Sequence, residues 1–499
     1  MPENGPHRSE NENTRNALFQ QVAGLEAEMA RMRALLLEKE QERLRLYSNI
    51  NSLSLFDQLP AEIKIEIFYN TLNRSTGWYD SKGVNPLFLG KVCHGWRDFV
   101  WSTPIFWTTL YLRLSTDNYE AQAVLLRDWL SRTGEYPISF CLATREFLGM
   151  RDHSPIEVLT LFASVSARWR EVEISFPDLK ACFDIISTAE TSLPLLTTAT
   201  VQLDETEEEL SLLIAPQLSE LHLYRPILRK VLAPWNQLQV FFADRCCVDE
   251  IRFFLHNAPH IVRSTFTNIE SDILEPSLDQ ELFHRPLLLE RLQYLKLHFR
   301  YVNVESAWIL GEVSLPSLRE VSLHNPAYNS QDVFPFQITK SFQSSPHLEK
   351  FTWSGTVEVS DHDLIQALKN IPSVKDLSLD FLDCQPSSKL LTEKFLQRLY
   401  FPQEEILLPN LRSFTYRGPT SLSEHMHLFR DVLVYRFGKC TLRAAEVDSE
   451  RTTVAQIKSM SVTSSSEFVV SPDIQEELNS LVQAGLEFSL TFKPSDSEY

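Results

Sequence analysis

The chain has 499 residues, and 47 Lys and Arg stand against 66 Asp and Glu for a formal net charge of −19. That length exceeds what one hydrophobic core serves, so several domains or a stacked array are expected. The acidic balance has the wrong sign for broad binding to a phosphate backbone, which argues against nucleic acid as a partner. The polar start from Met1 to Asn16, and apolar runs far short of spanning length, such as Leu287 to Leu289, predict neither secretion nor a membrane segment. Seven scattered cysteines without a CxxC pair read as thiols of a reducing compartment, cytoplasmic or nuclear, and not as a disulfide framework or zinc site.

Residues 1–15 read as disordered. From about 16 to 50, Leu18, Val22, Leu25, Met29, Met32 and Leu36 recur at alternating four- and three-residue steps, the seam of a coiled coil. Lys39 and Arg43 take the next two seam positions before Leu46 and Ile50, so three unbroken heptads stand alone and are marginal. A homodimer through this seam and an amphipathic helix lying on the protein's own body both remain open.

Between 55 and 107 the density of large apolar residues is high. Pro60 suits a first helical turn. Beyond it, Ala61, Ile65, Phe68 and Leu72 form one apolar stripe, and Ile63 and Ile67 form a second that needs a surface of its own. After the loop 73–84, Asn85-Pro86 starts a helix predicted to run unbroken from Leu87 to Val100, with Phe88, Val92, Trp96 and Phe99 on one face. Ser102-Thr103-Pro104 then restarts a turn carrying Ile105, Phe106 and Trp107. Some fifty residues of this composition bury their apolar groups poorly alone, which predicts a partner.

The Leu59-Pro60 start, the isoleucine-rich first helix, Val92-Cys93 with Trp96, and the closing Trp107 together resemble the F-box family, and the wider layout resembles the large fungal F-box families. The resemblance covers about a tenth of the chain, and the loop 73–84 is longer than many F-boxes carry. It implies a three-helix F-box docking onto a Skp-type adaptor and through it a cullin. Leu59, Pro60, Ile63, Ile67, Val92, Cys93, Trp96 and Trp107 would face the adaptor or support the interface.

Residues 108–165, with a helix over Glu120 to Leu130 and a turn over Gly134 to Pro137, read as a connector. From about 165 an apolar residue is followed three and five positions later by two more. Leu218, Leu221, Leu223 is one copy; those beginning at Leu318, Val374 and Leu411 are equally clear. Weaker copies begin at Trp169, Leu196, Leu238, Ile261, Leu292 and Leu348, and the ten starts average about 27 residues apart. The fold class predicted is α/β, since apolar residues two apart face one side of a short strand while helices cover them. No unit buries its face alone, so neighbours must stack. Asp204 is placed to cap a helix from Glu207 to Ile214, and a helix from Pro472 to Gly485 with a strand from Leu486 to Phe492 forms a terminal cap over 165–499.

The pattern resembles degenerate leucine-rich repeats. Only the unit at Leu238 has the Asn or Cys three residues after its last apolar position, as Cys246; Pro226, Arg300, Pro326 and Leu382 stand there in other units. An irregular solenoid is implied. Its solvent-facing strand positions, His222, Tyr224, Phe242, Asp244, Lys296, His298, Arg300, Ser322, His324, Ser378, Asp380 and Arg417, are the candidate contacts for a target protein.

Signatures of catalysis are missing: no GxGxxG, HExxH or GxSxG occurs, and the glycines of Gly90 to Gly95 are followed by Trp96-Arg97 where a phosphate loop needs Lys-Ser/Thr. Asp361-His362-Asp363 reads as exposed loop, so no cofactor or metal is expected. Two functional readings follow: a non-catalytic substrate-recognition subunit of an SCF-type ubiquitin ligase, or an F-box scaffold without ligase output.

Overall fold

The computed structural model describes residues 7–52, 54–56, 58–72, 85–115, 118–144, 156–175, 193–202, 210–212, 214–270, 285–300, 309–325, 334–355, 360–381, 390–400, 406–442 and 454–493. The chain forms two compact units, one of residues 1–111 with 127–136, the other of 112–126 with 137–499.

The first unit is helical. Helix α1 spans His7–Ser52, so residues 7–15, expected to be disordered, are its first turns; a polar stretch without Pro or Gly after Pro6 gives the backbone no reason to leave the helix. Helix α2 spans Ala61–Leu72. The predicted Leu87–Val100 helix is instead two: α3, Pro86–Leu89, and α4, His94–Ser102. Gly90 marks the break. A Cβ there would sit 2.1 Å from the Trp101 ring, and the Gly90 carbonyl accepts a hydrogen bond from Arg97 Nε at 2.8 Å. A single 3₁₀ turn, Pro104–Trp107, follows. The loop 73–84 lies outside the described residues.

The second unit is built on one sheet of 14 strands in strictly sequential order. The strands are β1 Thr109–Leu114, β2 Ile138–Thr144, β3 Trp169–Ser175, β4 Thr198–Gln202, β5 Glu220–Tyr224, β6 Val240–Asp244 and β7 Arg263–Ile269. They continue with β8 Tyr294–Phe299, β9 Glu320–Asn325, β10 Lys350–Gly355, β11 Asp376–Asp380, β12 Ser413–Gly418, β13 Ser459–Ser464 and β14 Glu487–Phe492. Each pair from β2 onward is parallel. The longer helices are α5 Tyr119–Arg132, α6 Ile156–Ala163, α7 Val248–Asn257, α8 Phe334–Ser341, α9 Asp361–Lys369, α10 Glu393–Tyr400, α11 Leu422–Leu442 and α12 Pro472–Gln483. The boundary between the units falls inside β1 and inside α5.

Alternation does the sorting. In β5, Leu221 and Leu223 are fully buried and His222 and Tyr224 half-buried, and the register carries this alternation from strand to strand. Each fully buried Leu or Phe contributes about 1.5–3 kcal/mol against an exposed one. The covering layer meets these residues directly: Phe254 of α7 stacks on Phe241 of β6 with ring centroids 3.9 Å apart. Two fully buried arginines tie loops to this layer. Arg252 donates to the Arg285 and Ile309 carbonyls, and Arg436 to those of Leu399, Leu407 and Leu408. At the end of β10 the chain passes so close to β9 that only glycine fits: Gly355 has φ +153°, and a Cβ would lie 1.8 Å from the Asn325 carbonyl oxygen.

The sequence reading needs correction at three places here. Residues 108–165 are no mere connector, because β1 and β2 belong to the main sheet. Leu210 and Ser211, assigned to a helix, instead pair as a short strand with Val231–Leu232, and Asp204 to Glu209 lie outside the described residues. Asp361-His362-Asp363, expected as loop, is the first turn of α9, because the Ser360 hydroxyl caps it by accepting from the Asp363 N–H.

Candidate interaction surfaces

The helical unit first completes its own core. Phe68 of α2 is buried, and its ring lies 4.6 Å from Trp96, 5.1 Å from Phe56 and 5.9 Å from Phe99 and Phe106. Cys93 caps α4, its Sγ accepting from the Trp96 N–H at 3.4 Å. Trp107 is sealed: its Nε1 donates to the Val100 carbonyl, its own carbonyl accepts from Trp129 Nε1 of α5, and the two indoles meet edge to face. Arg132 lies over the Trp101 and Trp107 rings.

With that core closed, a set of large apolar groups remains outside it. Ile63 and Ile67, one turn apart on α2, are 47% and 41% exposed. Leu55, Phe88 and Val92 are each more than half exposed. Of the residues assigned to adaptor docking, Pro60, Ile63, Ile67 and Val92 therefore stand in solvent, and Leu59, Cys93 and Trp96 are half-buried. Trp107, placed among residues that would face the adaptor or support the interface, is 2% exposed and so falls on the supporting side of that reading. Leu55 and Phe88, not among the candidates, are exposed as well. Phe88 escaped because a continuous helix would have put it on the face of Trp96 and Phe99; the break at Gly90 frees it from that face.

The second surface is the side of the sheet that carries the half-buried strand positions, which among the described residues stay more accessible than the apolar ones. His222, Phe242, Lys296, Ser322 and Ser378 occupy one row across the strands, while Tyr224, Asp244, His298, His324, Asp380 and Arg417 occupy the next row along. At about 4.8 Å per strand, the stretch from β5 to β12 covers roughly 34 Å. Arg300 lies just beyond β8, where it pairs with Glu270 at 3.0 Å. The face divides chemically. Around β5 and β6 it is aromatic: Phe242 lies 5.6 Å from the His222 ring and 5.3 Å from the Tyr224 ring. The His298 and His324 rings meet at 4.1 Å, and His324 Nδ1 lies 2.9 Å from the Ser354 hydroxyl. Burial, followed by the neighbouring His324 and Lys296, pushes the His298 imidazole down to about 4, so it is neutral near pH 7. From β9 onward the row of Ser322 carries only hydroxyls: Ser322, Thr352, Ser378, Thr415, Ser461 and Ser489.

The first surface offers apolar groups, and the second offers aromatic rings and hydrogen-bonding groups. Among the described residues no group of three or more His, Cys, Asp or Glu is placed to hold a metal ion, and no helix is long and apolar enough to cross a membrane. Neither a scan against protein-family models nor a search of curated proteins gives a match for this chain.

Proposed function

We propose that the chain is a substrate-recognition subunit of an SCF-type ubiquitin ligase, with residues 55–107 as an F-box that docks onto a Skp-type adaptor and the open sheet face as the surface that presents a target protein. The observation that carries this reading is the pair Ile63 and Ile67, held outside a helical core that Phe68 has already closed on the other side of the same helix. An apolar stripe of this kind costs solubility unless a partner covers it. The sequential parallel strands, recurring every 20 to 37 residues from β3 to β12, support degenerate leucine-rich repeats as the scaffold of the target-binding face. The chain itself performs no bond chemistry in this reading; acceleration comes from holding a target near the ligase's catalytic partner.

The test is co-purification of the adaptor with the full chain and with Ile63→Asp/Ile67→Asp. Both positions are exposed, so the variant keeps the wild-type melting temperature while adaptor recovery falls at least about tenfold. Equal recovery from the two proteins overturns the reading. If the adaptor binds but no protein accumulates when the docking surface is mutated, the chain is a scaffold without ligase output.

A further inference from the structure

We propose that α1 pairs in parallel and in register with the α1 of a second copy of this chain. The helix is 46 residues long, and its seam residues Leu18, Val22, Leu25, Met29, Met32 and Leu36 are all at least half exposed. Their alternating spacing places Val22, Met29 and Leu36 at the a positions of a heptad and Leu18, Leu25 and Met32 at the d positions. No described residue of the helical unit shields this stripe, which is what a seam awaiting an equal partner requires.

The flanking charges identify the partner and its direction. Glu28 precedes the a residue Met29, and Arg33 follows the d residue Met32. In a parallel pair of identical helices, each Glu28 faces Arg33 of the other copy, so two opposite-charge contacts form by symmetry. Laying the same six apolar layers antiparallel instead sets Glu26 against Glu26 and Glu28 against Glu28 at the dyad, two repulsions at the centre of the seam. The basic residues that follow do not veto the parallel pair. The ammonium of Lys39, at the next d position, reaches out of the seam to Glu42 of its own helix at 2.7 Å, leaving its aliphatic stem inward. Beyond Arg43, Leu46 and Ile50 resume the seam and are more than half exposed. Since residues 54–107 follow the C-terminal end of α1, a parallel pair carries both copies of that helical surface from the same end. The pairing stands independently of adaptor docking.

Sedimentation of the full chain between about 1 and about 100 μM reads the oligomeric state. A dimer is expected, and Leu25→Lys/Met29→Lys is expected to give a monomer with unchanged melting of the remaining body. Glu28→Arg weakens the dimer about tenfold, and Glu28→Arg/Arg33→Glu restores it. Leu18→Cys reports direction: under mild oxidation a parallel pair crosslinks through this position beyond the wild-type background, whereas the antiparallel overlay separates the two thiols by roughly 27 Å. A monomer at every concentration, or a dimer in which Leu18→Cys does not crosslink, overturns the proposal.

Discussion

On α2, Ile63 and Ile67 stand in water while Phe68, the next residue along, is sealed among four aromatic rings. On β5 the same alternation of inside and outside leaves Leu221 and Leu223 sealed and puts polar His222 on the open side. The two units thus treat their apolar residues differently for a geometric reason. A strand has two faces, and on β5 the sequence assigns one of them to leucine, so alternation alone buries Leu221 and Leu223. A helix can carry two apolar stripes, and among the described residues α2 buries only Phe68, on the first of them. The helical unit therefore keeps Ile63 and Ile67 in solvent, where β5 of the sheet unit buries Leu221 and Leu223.

The largest expected effect separates these two kinds within the helical unit itself. Trp107→Ala removes a buried indole, its hydrogen bond to the Val100 carbonyl, and the edge contacts with Trp101 and Trp129. It is expected to cost about 3–5 kcal/mol in denaturant unfolding. Ile67→Ala, on the exposed stripe, is expected to change stability by less than about 1 kcal/mol, most of it helix propensity. A loss of 2 kcal/mol or more at Ile67 would mean that its stripe is already covered, and the contrast between the units would fail.

The next effect concerns charge in place of apolar surface. Asp249 and Glu250 open α7, and both side chains are buried beside Arg229, whose Nε lies 3.3 Å from Glu250 Oε1. Burial, then the adjacent Asp249, push the Glu250 carboxyl up to about 7, against the opposing pull of Arg229. A carboxyl raised on folding stays protonated in the folded state while it ionises in the unfolded one. Stability is therefore highest below the unfolded pKa near 4.5 and falls as pH rises through about 7. The loss from this group is of the order of 3 kcal/mol. Glu250→Gln is expected to match the wild type near pH 4.5 and to exceed it in stability near pH 8. Parallel stability curves for the two proteins across that range would show that the buried pair is fully compensated.

Much of this organisation was legible in the residues, and the failures have physical causes. All ten apolar triplets from Trp169 to Leu411 fall on strands β3 to β12, because the three-and-five spacing combines the buried turn before a strand with the two inward positions on it. The middle position of the Ile261 copy, Ser264, is buried even without an apolar side chain. The same spacing at Ile457, Met460 and Val462 marks β13 and went unread. In β1, strict alternation of Leu110, Leu112 and Leu114 was visible but lay too close to the helical motif to be separated from it. What could not be read locally was the break at Gly90, since it depends on Trp101, eleven residues away, needing the space a side chain would fill. The open-face rows were legible from alternation; which rings meet across them was not, because that depends on inter-strand register.

The smallest effect tests whether the open face is free to bind. Arg417 donates to Asp380 across adjacent strands at 2.9 Å, with both side chains more than a third exposed. A solvated pair of this kind contributes roughly 0–1 kcal/mol, because screening and the ordering of two long side chains offset most of the attraction. Arg417→Ala is accordingly expected to leave the melting temperature within about 2 °C of the wild type. Any larger loss in binding to a captured target would then belong to recognition and not to folding. If Arg417→Ala instead destabilises the chain as much as a buried apolar truncation, the open row is a structural element of the sheet, and the face has fewer groups to offer a partner than its exposure implies.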